Sequence, residues 1–437
     1  MSRHLRLLVM LMAVVSVLAG ACSSSGDDEP DETATSPTGP AATPAQGPAT
    51  ATQSSAAATH PVEISPTSEA SPTTSGNATV PAATEPPVPE GTATVSVGDQ
   101  TLTVPAGYSI SIYAEDLGAA RFMALDEDGT VYVADRRGRV IRLPDNDDDG
   151  VADDVETVLD GLDTPHGITF HDGALYVAEQ TRVIRATDED SDGTFESVTT
   201  IIDGLPEGGH STRTIRFGPD GMLYVSIGSS CNVCDEEDSR RAAIMRYNAD
   251  GSGGEPFAIG LRNAVGITFD NETGLLWATN NGRDGMGDNV PPETINQPNQ
   301  GDDFGWPRCH AGDVIDPQFG SEDACDGVAP PAVKMQAHSA PLGLTFVSGD
   351  QLAQYAGDLL VAFHGSWNRS EPTGFKVVRV PFESGVPAGA VVDFISGWLL
   401  PDGERWGRPV DVLIAPDDSL LISDDEGGRI FRLHRST

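Results

Sequence analysis

The chain is poor in basic residues. It has 26 Lys and Arg against 66 Asp and Glu, a formal net charge of −40 over 437 residues. That balance excludes nucleic acid as a partner, because phosphates need basic contacts. Cysteine is also scarce, at five residues. Cys22 stands near the start, which leaves Cys231, Cys234, Cys309 and Cys325. In an oxidising compartment an even number suggests two disulfides with three alternative pairings, of which Cys231 with Cys234 and Cys309 with Cys325 is the locally simplest. The Cys231-Asn232-Val233-Cys234 spacing also fits a redox pair or half a zinc site. No second CxxC completes the zinc site, and Asp235 stands where haem attachment needs histidine. Past the first twenty residues no apolar stretch is long enough to span a bilayer. Helix-period patterns are nearly absent, so strands must build the fold.

The first segment reads as a targeting signal. Met1-Ser2-Arg3-His4-Leu5-Arg6 is basic, Leu7 to Leu18 is apolar, and Ala19-Gly20-Ala21 precedes Cys22. This order predicts a lipoprotein signal peptide over residues 1–21, with cleavage before Cys22 and acylation of its thiol. Residues 22–91 are rich in Ser, Thr, Pro and Ala and carry almost no large apolar side chain. Such a composition buries too little surface to offset the entropy of ordering, which predicts a disordered linker. As a flexible tether of roughly 70 residues it would reach on the order of 45 Å. The expected location is therefore the outer face of the cell membrane, reached by the lipid anchor alone. Residues 92–437 form the expected folded domain.

That domain repeats. Phe122 to Leu125 turns through Asp126-Glu127-Asp128-Gly129 into Thr130 to Ala134, and His166 to Phe170 turns through His171-Asp172-Gly173 into Ala174 to Ala178. The same hairpin recurs at Thr214–Ser226, Val265–Thr279, Leu342–Phe363 and Val410–Ser423, often with a further apolar strand after it. Six small sheets bury their faces most readily by radial packing, so the fold class expected is all-β, a six-bladed β-propeller. A β-sandwich would be oversized at this length. Strands around Thr94 to Tyr113 are expected to complete the last blade.

Polar residues stand at matching places in this repeat. Pro206-Glu207-Gly208-Gly209-His210 delivers one histidine to the entrance of the third hairpin, where it is a candidate proton acceptor. His166, the pair Arg262-Asn263, and Arg408 stand at the entrances of the second, fourth and sixth. Inner strands of a propeller converge on one channel mouth, so these residues predict one concave site. Asn281 to Asp288 is a Gly-rich loop whose carbonyls could ligate calcium. His364-Gly365-Ser366-Trp367-Asn368-Arg369 is a polar and aromatic loop without the setting of a hydrolase nucleophile. Two acidic loops also stand out. Asp145, Asp147, Asp149, Gly150 and Glu156 fit a calcium loop, and Asp188 to Gly193 with Glu196 is a shorter relative.

Together GGHSTRTIRFGPDG, FAIGLRNAVGITFD, DDFGWPRC, AFHGSWNR and GRPVDVLIAPD, in this order, resemble the glucose/sorbosone dehydrogenase family over about Pro105 to Leu433. The Cys231–Cys234 loop and HGSWNR are closer to its sorbosone-dehydrogenase-like branch. The resemblance implies a six-bladed propeller that uses pyrroloquinoline quinone (PQQ) and calcium to oxidise an aldose, a sorbosone-like aldehyde or a related polyol. It makes His210 the general base, with hydride passing from the sugar carbon to C5 of the quinone. It puts Arg262 beside the quinone oxygen and makes Asn263 and Arg408 cofactor contacts. Gly282 and Arg283 become the pair whose carbonyls hold calcium. The glucose enzyme has an acidic residue before the base where this chain has Gly209. For the cofactor-binding lysine, Arg369 or His364 is the candidate replacement, and His166 joins the cofactor set. Electrons would pass to an external quinone or haem protein, since this chain has no haem motif. The alternatives are a non-enzymatic surface propeller that binds carbohydrate or a protein, and a calcium-dependent propeller lactonase.

Overall fold

The computed structural model describes residues 91–190 and 193–436. The signal peptide, Cys22 and the linker up to residue 90 lie outside the described residues.

Six antiparallel sheets of four strands each, one with an added parallel strand, carry the fold. Blade 1 runs Ala120–Leu125, Val131–Asp135, Arg139–Leu143 and Glu156–Leu159. Blade 2 runs Ile168–His171, Ala174–Ala178, Val183–Thr187 and Ser197–Ile202. Blades 3, 4 and 5 start at Arg213–Phe217, Ile267–Phe269 and Pro341–Phe346. Blade 6 comprises Pro409–Ile414, Leu420–Asp424, Arg429–Arg435 and, as its outermost strand, Tyr108–Ala114 from the other end of the domain. The first strands touch one another in cyclic order from blade 1 round to blade 6, so they form the inner wall. The expected six-bladed propeller is what forms.

Burial follows the radial arrangement. Second strands such as Val131–Asp135 and Leu359–Phe363 are buried at every position, because a blade packs on each face. Fourth strands such as Ser197–Ile202 are mostly open to water. One apolar cluster sits in each gap between neighbouring blades, for example Ile215, Val225, Ala178 and Val183 between blades 2 and 3. A smaller one of Phe122, Val265, Leu342 and Val410 joins inner strands of four blades. Side chains also tie blade to blade across the inner wall. Thr279 donates to Leu342 O at 3.0 Å, and Ser423 donates to Arg121 O at 2.7 Å. Each such bond satisfies a carbonyl that the wall would otherwise bury without a partner.

One expectation needs correction. Only Tyr108–Ala114 completes the last blade. Thr92–Val97 and Gln100–Pro105 pair with each other as a separate hairpin. Its Val97, Leu102 and Val104 pack into the cluster between blades 5 and 6, and Thr103 bridges Ser396. The alternation that marks a blade strand marks a covering hairpin equally well. Disulfides join Cys231 to Cys234 and Cys309 to Cys325, the locally simplest pairing.

Candidate active site

Antiparallel strands bring the entrance of each first strand beside the exit of the second. All entrance residues therefore lie at one end of the channel, together with the loops that follow the second strands. The sequence singled out the entrances. Most of their partners come from the loops.

Gly208 and Gly209 reach His210 with φ of +75° and +62°, a region closed to most side chains. A Cβ on Gly209 would also stand 2.6 Å from Ser229 O, so the glycine lets the backbone lie against the Ser229 loop. His210 N donates to Ser229 O at 3.0 Å, and its Nδ1 lies 3.0 Å from both the carbonyl and the hydroxyl of Ser229. A carbonyl only accepts, so Nδ1 carries the proton and the basic lone pair is on Nε2. His210 and Asn263 meet across Gly228, where an added Cβ would lie 2.6 Å from His210 Cβ and 2.5 Å from Asn263 Oδ1.

Arg262 is buried and held by the disulfide loop. Its Nε donates to Asn232 O and its Nη2 to Asn232 Oδ1, each at 3.0 Å. Nη2 also pairs with Asp284 at 2.8 Å, and Nη1 reaches Asn281 O at 3.4 Å. Burial pulls the guanidinium below its ordinary pKa, and the Asp284 and Glu293 charges oppose that pull. Four of its five N–H groups are engaged. Asp284 in turn accepts from Asn368 Nδ2 at 2.6 Å, linking the blade 4 and blade 5 loops.

A second cluster lies across the mouth. Arg121 Nη1 pairs with Asp425 at 2.5 Å, and His364 Nε2 donates to the same carboxylate at 2.9 Å. Arg408 Nε reaches His364 O at 3.4 Å. Burial pushes the Asp425 carboxyl up, but His364, Arg121 and Arg408 outweigh it and keep the carboxyl ionised well below the usual range. Burial takes His364 down to about 4, so this imidazole is neutral. Arg121 Nε donates to His166 Nδ1 at 3.1 Å. Burial and the neighbouring Arg121 and Arg136 keep His166 neutral as well. Its proton must then be on Nε2, a buried atom without a hydrogen-bond partner among the described residues.

Gly282 N donates to Glu293 at 2.6 Å. Burial raises this carboxyl to about 7. Among the described residues, no hydrogen bond reaches the carbonyls of Gly282 and Arg283. The Arg283 side chain turns away to Asp316.

The structure thus brings His210, Arg262, Asn263, Arg408, His166, Gly282 and Arg283 to one end of the channel. Arg369 is different. Its Nη1 clasps Asp288 O, Asn289 Oδ1 at 3.2 Å and Ala337 O at 3.3 Å, fastening rim loops together. The acidic loops join third to fourth strands and therefore lie at the opposite end. Asp145, Asp147 and Asp149 have carboxylate oxygens within 4.8 Å of one another, as do Asp188, Asp190 and Glu196. Glu156 is outside the group, because its strand position turns it to Arg142 at 3.1 Å. Arg121 and Asp425 were missed, and no motif marks them. Asn232, Asp284 and Asn368 lie in the CxxC, Gly-rich and His364–Arg369 loops that the sequence singled out, but they were given no role of their own.

The model of the family described as TrAA12-like matches residues 102–436. The chain belongs to the TrAA12-like family. Among its relatives, an uncharacterised protein of Borreliella burgdorferi is 29% identical over 351 residues, which is 76% of this chain and 91% of that one. The pyrroloquinoline quinone-dependent pyranose dehydrogenase of Coprinopsis cinerea is 26% identical over 405 residues. That alignment spans 76% of this chain but only 54% of the Coprinopsis protein. Two solved structures share the fold of this TrAA12-like chain. They are the holo PQQ domain of pyranose dehydrogenase from C. cinerea (TM-score 0.68, 23% identity) and a calcium structure of the Trichoderma reesei family AA12 enzyme (TM-score 0.69, 22% identity). Each covers 78% of this chain and 98% of its own.

Proposed function

We propose that this protein oxidises a sugar with PQQ and calcium at the channel mouth, with His210 as general base. The observation that carries the reading is the convergence of two buried arginines, Arg121 and Arg262, and the half-buried Arg408 with His166 and His210 at one end of the channel. The chain as a whole is strongly acidic, yet three arginines gather at this mouth, where Asp284 and Asp425 offset part of their charge and guanidinium N–H groups remain for an anionic ligand. PQQ is a planar anion with three carboxylates, and guanidinium forks suit such groups. His166 Nε2–H offers a buried donor with no acceptor among the described residues. The unengaged carbonyls of Gly282 and Arg283 are hard oxygen ligands of the kind calcium takes. The residues fit the group.

Bound PQQ supplies the two-electron acceptor that the side chains here cannot supply. Arg121 and Arg408 hold its carboxylates, and Asn263 hydrogen-bonds it. Arg262, fixed by Asn232 and Asp284, presents its remaining N–H where negative charge develops. His210 takes the sugar hydroxyl proton at Nε2 while Ser229 holds the opposite edge of the ring. The relatives' names support a pyranose or other aldose as substrate, and an external quinone or haem protein would remove the electrons. The first acidic loop, with Asp145, Asp147 and Asp149 remote from the channel mouth, is proposed as a separate structural calcium site. Export and a lipid anchor at Cys22 complete the proposal.

The test is reconstitution of calcium-loaded protein with PQQ, following dye reduction as aldoses are added. Sugar-dependent reduction that His210→Ala abolishes supports the reading. If PQQ neither binds nor supports turnover, the reading fails.

A further inference from the structure

Trp367 is out of place in a propeller that otherwise hides its tryptophans. Of five, Trp277, Trp306 and Trp398 are at most 7% exposed, Trp406 packs against the blade 5 to 6 cluster, and Trp367 is 62% exposed. Among the described residues it is the one aromatic side chain left open to water, on a loop that is otherwise tied down. Ser366 N donates to Thr373 O, and Thr373 N donates back to Ser366 Oγ, both at 2.8 Å. On the other side Asn368 is bonded to Asp284 and lies 3.2 Å from His338 Nδ1. Arg369 is clasped to residues 288, 289 and 337, and His364 at the loop's start is bonded to Asp425. A flexible loop would fold an indole of this size onto the surface. This one is fixed through both neighbours of Trp367, and Asn368 beside it is bonded to the Asp284 that pairs with Arg262, which brings the exposed indole's attachment point to the mouth. Exposed apolar surface held rigid beside a polar site is the arrangement of a binding platform.

We propose that Trp367 stacks on the ring face of a pyranose at the channel mouth and so sets affinity for cyclic sugars. This rests on the reading of that mouth as the sugar site. A pyranose presents a face of C–H groups and an edge of hydroxyls. The indole matches the face, and the polar rim matches the edge. An open-chain polyol has hydroxyls in the same number but no flat face.

Because Trp367 is the exposed tryptophan, acrylamide quenching of intrinsic fluorescence reports on it with or without cofactor. D-glucose, D-galactose and D-mannose are to be titrated separately, with sorbitol as the open-chain control. The expected result is saturable protection from acrylamide by at least one pyranose and none by sorbitol. In the reconstituted enzyme Trp367→Ala is expected to raise KM for that sugar about tenfold with kcat within twofold, and Trp367→Phe to restore most of it. The proposal is overturned if Trp367→Ala leaves sugar KM unchanged. It is equally overturned if only the KM for the electron acceptor or the affinity for PQQ moves, which would assign the indole to those ligands. If the wild-type protein turns over sugar while Trp367→Ala is neutral, the stacking fails and the dehydrogenase stands. If neither protection nor turnover occurs with any sugar, both fail.

Discussion

Arg262 donates to both the main-chain oxygen and the side-chain oxygen of Asn232, each at 3.0 Å. Asn232 lies inside the four-residue ring closed by Cys231 and Cys234, and it also bonds Asp284 through Nδ2 to O at 3.1 Å and through Oδ1 from N at 2.9 Å. One short covalent ring thus orients the arginine and the carboxylate that neutralises it. Trp306 Nε1 donates to the main-chain oxygen of Asn232 at 3.2 Å.

The first prediction follows from that sharing. Asn232→Ala removes one acceptor from a buried cation, a loss of about 1.5–3 kcal/mol. Asn232→Ala and Arg262→Met should be non-additive by about 1 kcal/mol or more in urea unfolding, because each deletes the same contact. Additive free energies would mean that Asn232 does not hold Arg262.

Glu293 gives a pH prediction. Its carboxyl titrates near 7 in the native chain, against an ordinary 4.5, because it is buried. Below about pH 4.5 both states are protonated and the group has no effect. Between 4.5 and 7 the unfolded chain releases a proton that the native chain retains, so stability falls as pH rises. Above 7 the loss is complete, on the order of 3 kcal/mol. Glu293→Gln keeps an acceptor for Gly282 N and has no proton to lose. The variant should gain on wild type from pH 4.5 to 7, measured by denaturant midpoints. Parallel curves across that range would contradict the assignment.

Asp425 is the common counter-charge for Arg121 and Arg408 and accepts a hydrogen bond from neutral His364. Asp425→Asn leaves buried guanidinium charge without its partner, with an expected cost on the order of 3 kcal/mol in unfolding free energy. A change below about 0.5 kcal/mol, the range of surface substitutions, would show that the cluster does not depend on this carboxylate.

For the acidic loops, terbium luminescence and a chelator-sensitive melting midpoint are the measurements. Asp147→Asn with Asp149→Asn should abolish binding at the first loop, whereas Glu156→Gln, paired with Arg142, should leave it intact. The opposite pattern would restore Glu156 as a ligand.

Much of this architecture is legible in the chain. Each hairpin is a local event, with alternation closed by a Gly-containing turn, so six of them can be counted without distant information. The same count places His210, Arg262, Asn263 and Arg408 at one end, because equivalent positions in equivalent blades must converge. What partners them is not local. Arg121 meets Asp425 across 304 positions, and Asn368 meets Asp284 across 84. Asp425 belongs to no motif, and Asp284 stands in a Gly-rich loop noted for its carbonyls and not for its carboxylate. Glu156 was drawn in by a spacing rule for a loop that a helix continues, but a strand continues this one and carries the carboxylate away. Arg369, read with His364 as a candidate for the lysine's place, is drawn to residues 288, 289 and 337, contacts that its own loop does not encode. The Thr92–Pro105 hairpin was absorbed into the last blade because strand alternation does not say which sheet a strand joins.

The central claim is that His210 and the arginine mouth serve sugar oxidation by PQQ. The most direct measurement is a single-turnover absorbance record of protein loaded with PQQ and calcium, mixed with a pyranose in the absence of any electron acceptor. The account predicts that the spectrum of oxidised PQQ is replaced by that of the reduced cofactor in one stoichiometric phase. His210→Ala should retain PQQ but slow that phase by at least 100-fold. An unchanged spectrum in the wild-type protein across a panel of aldoses, or an equally fast phase in the variant, would contradict it.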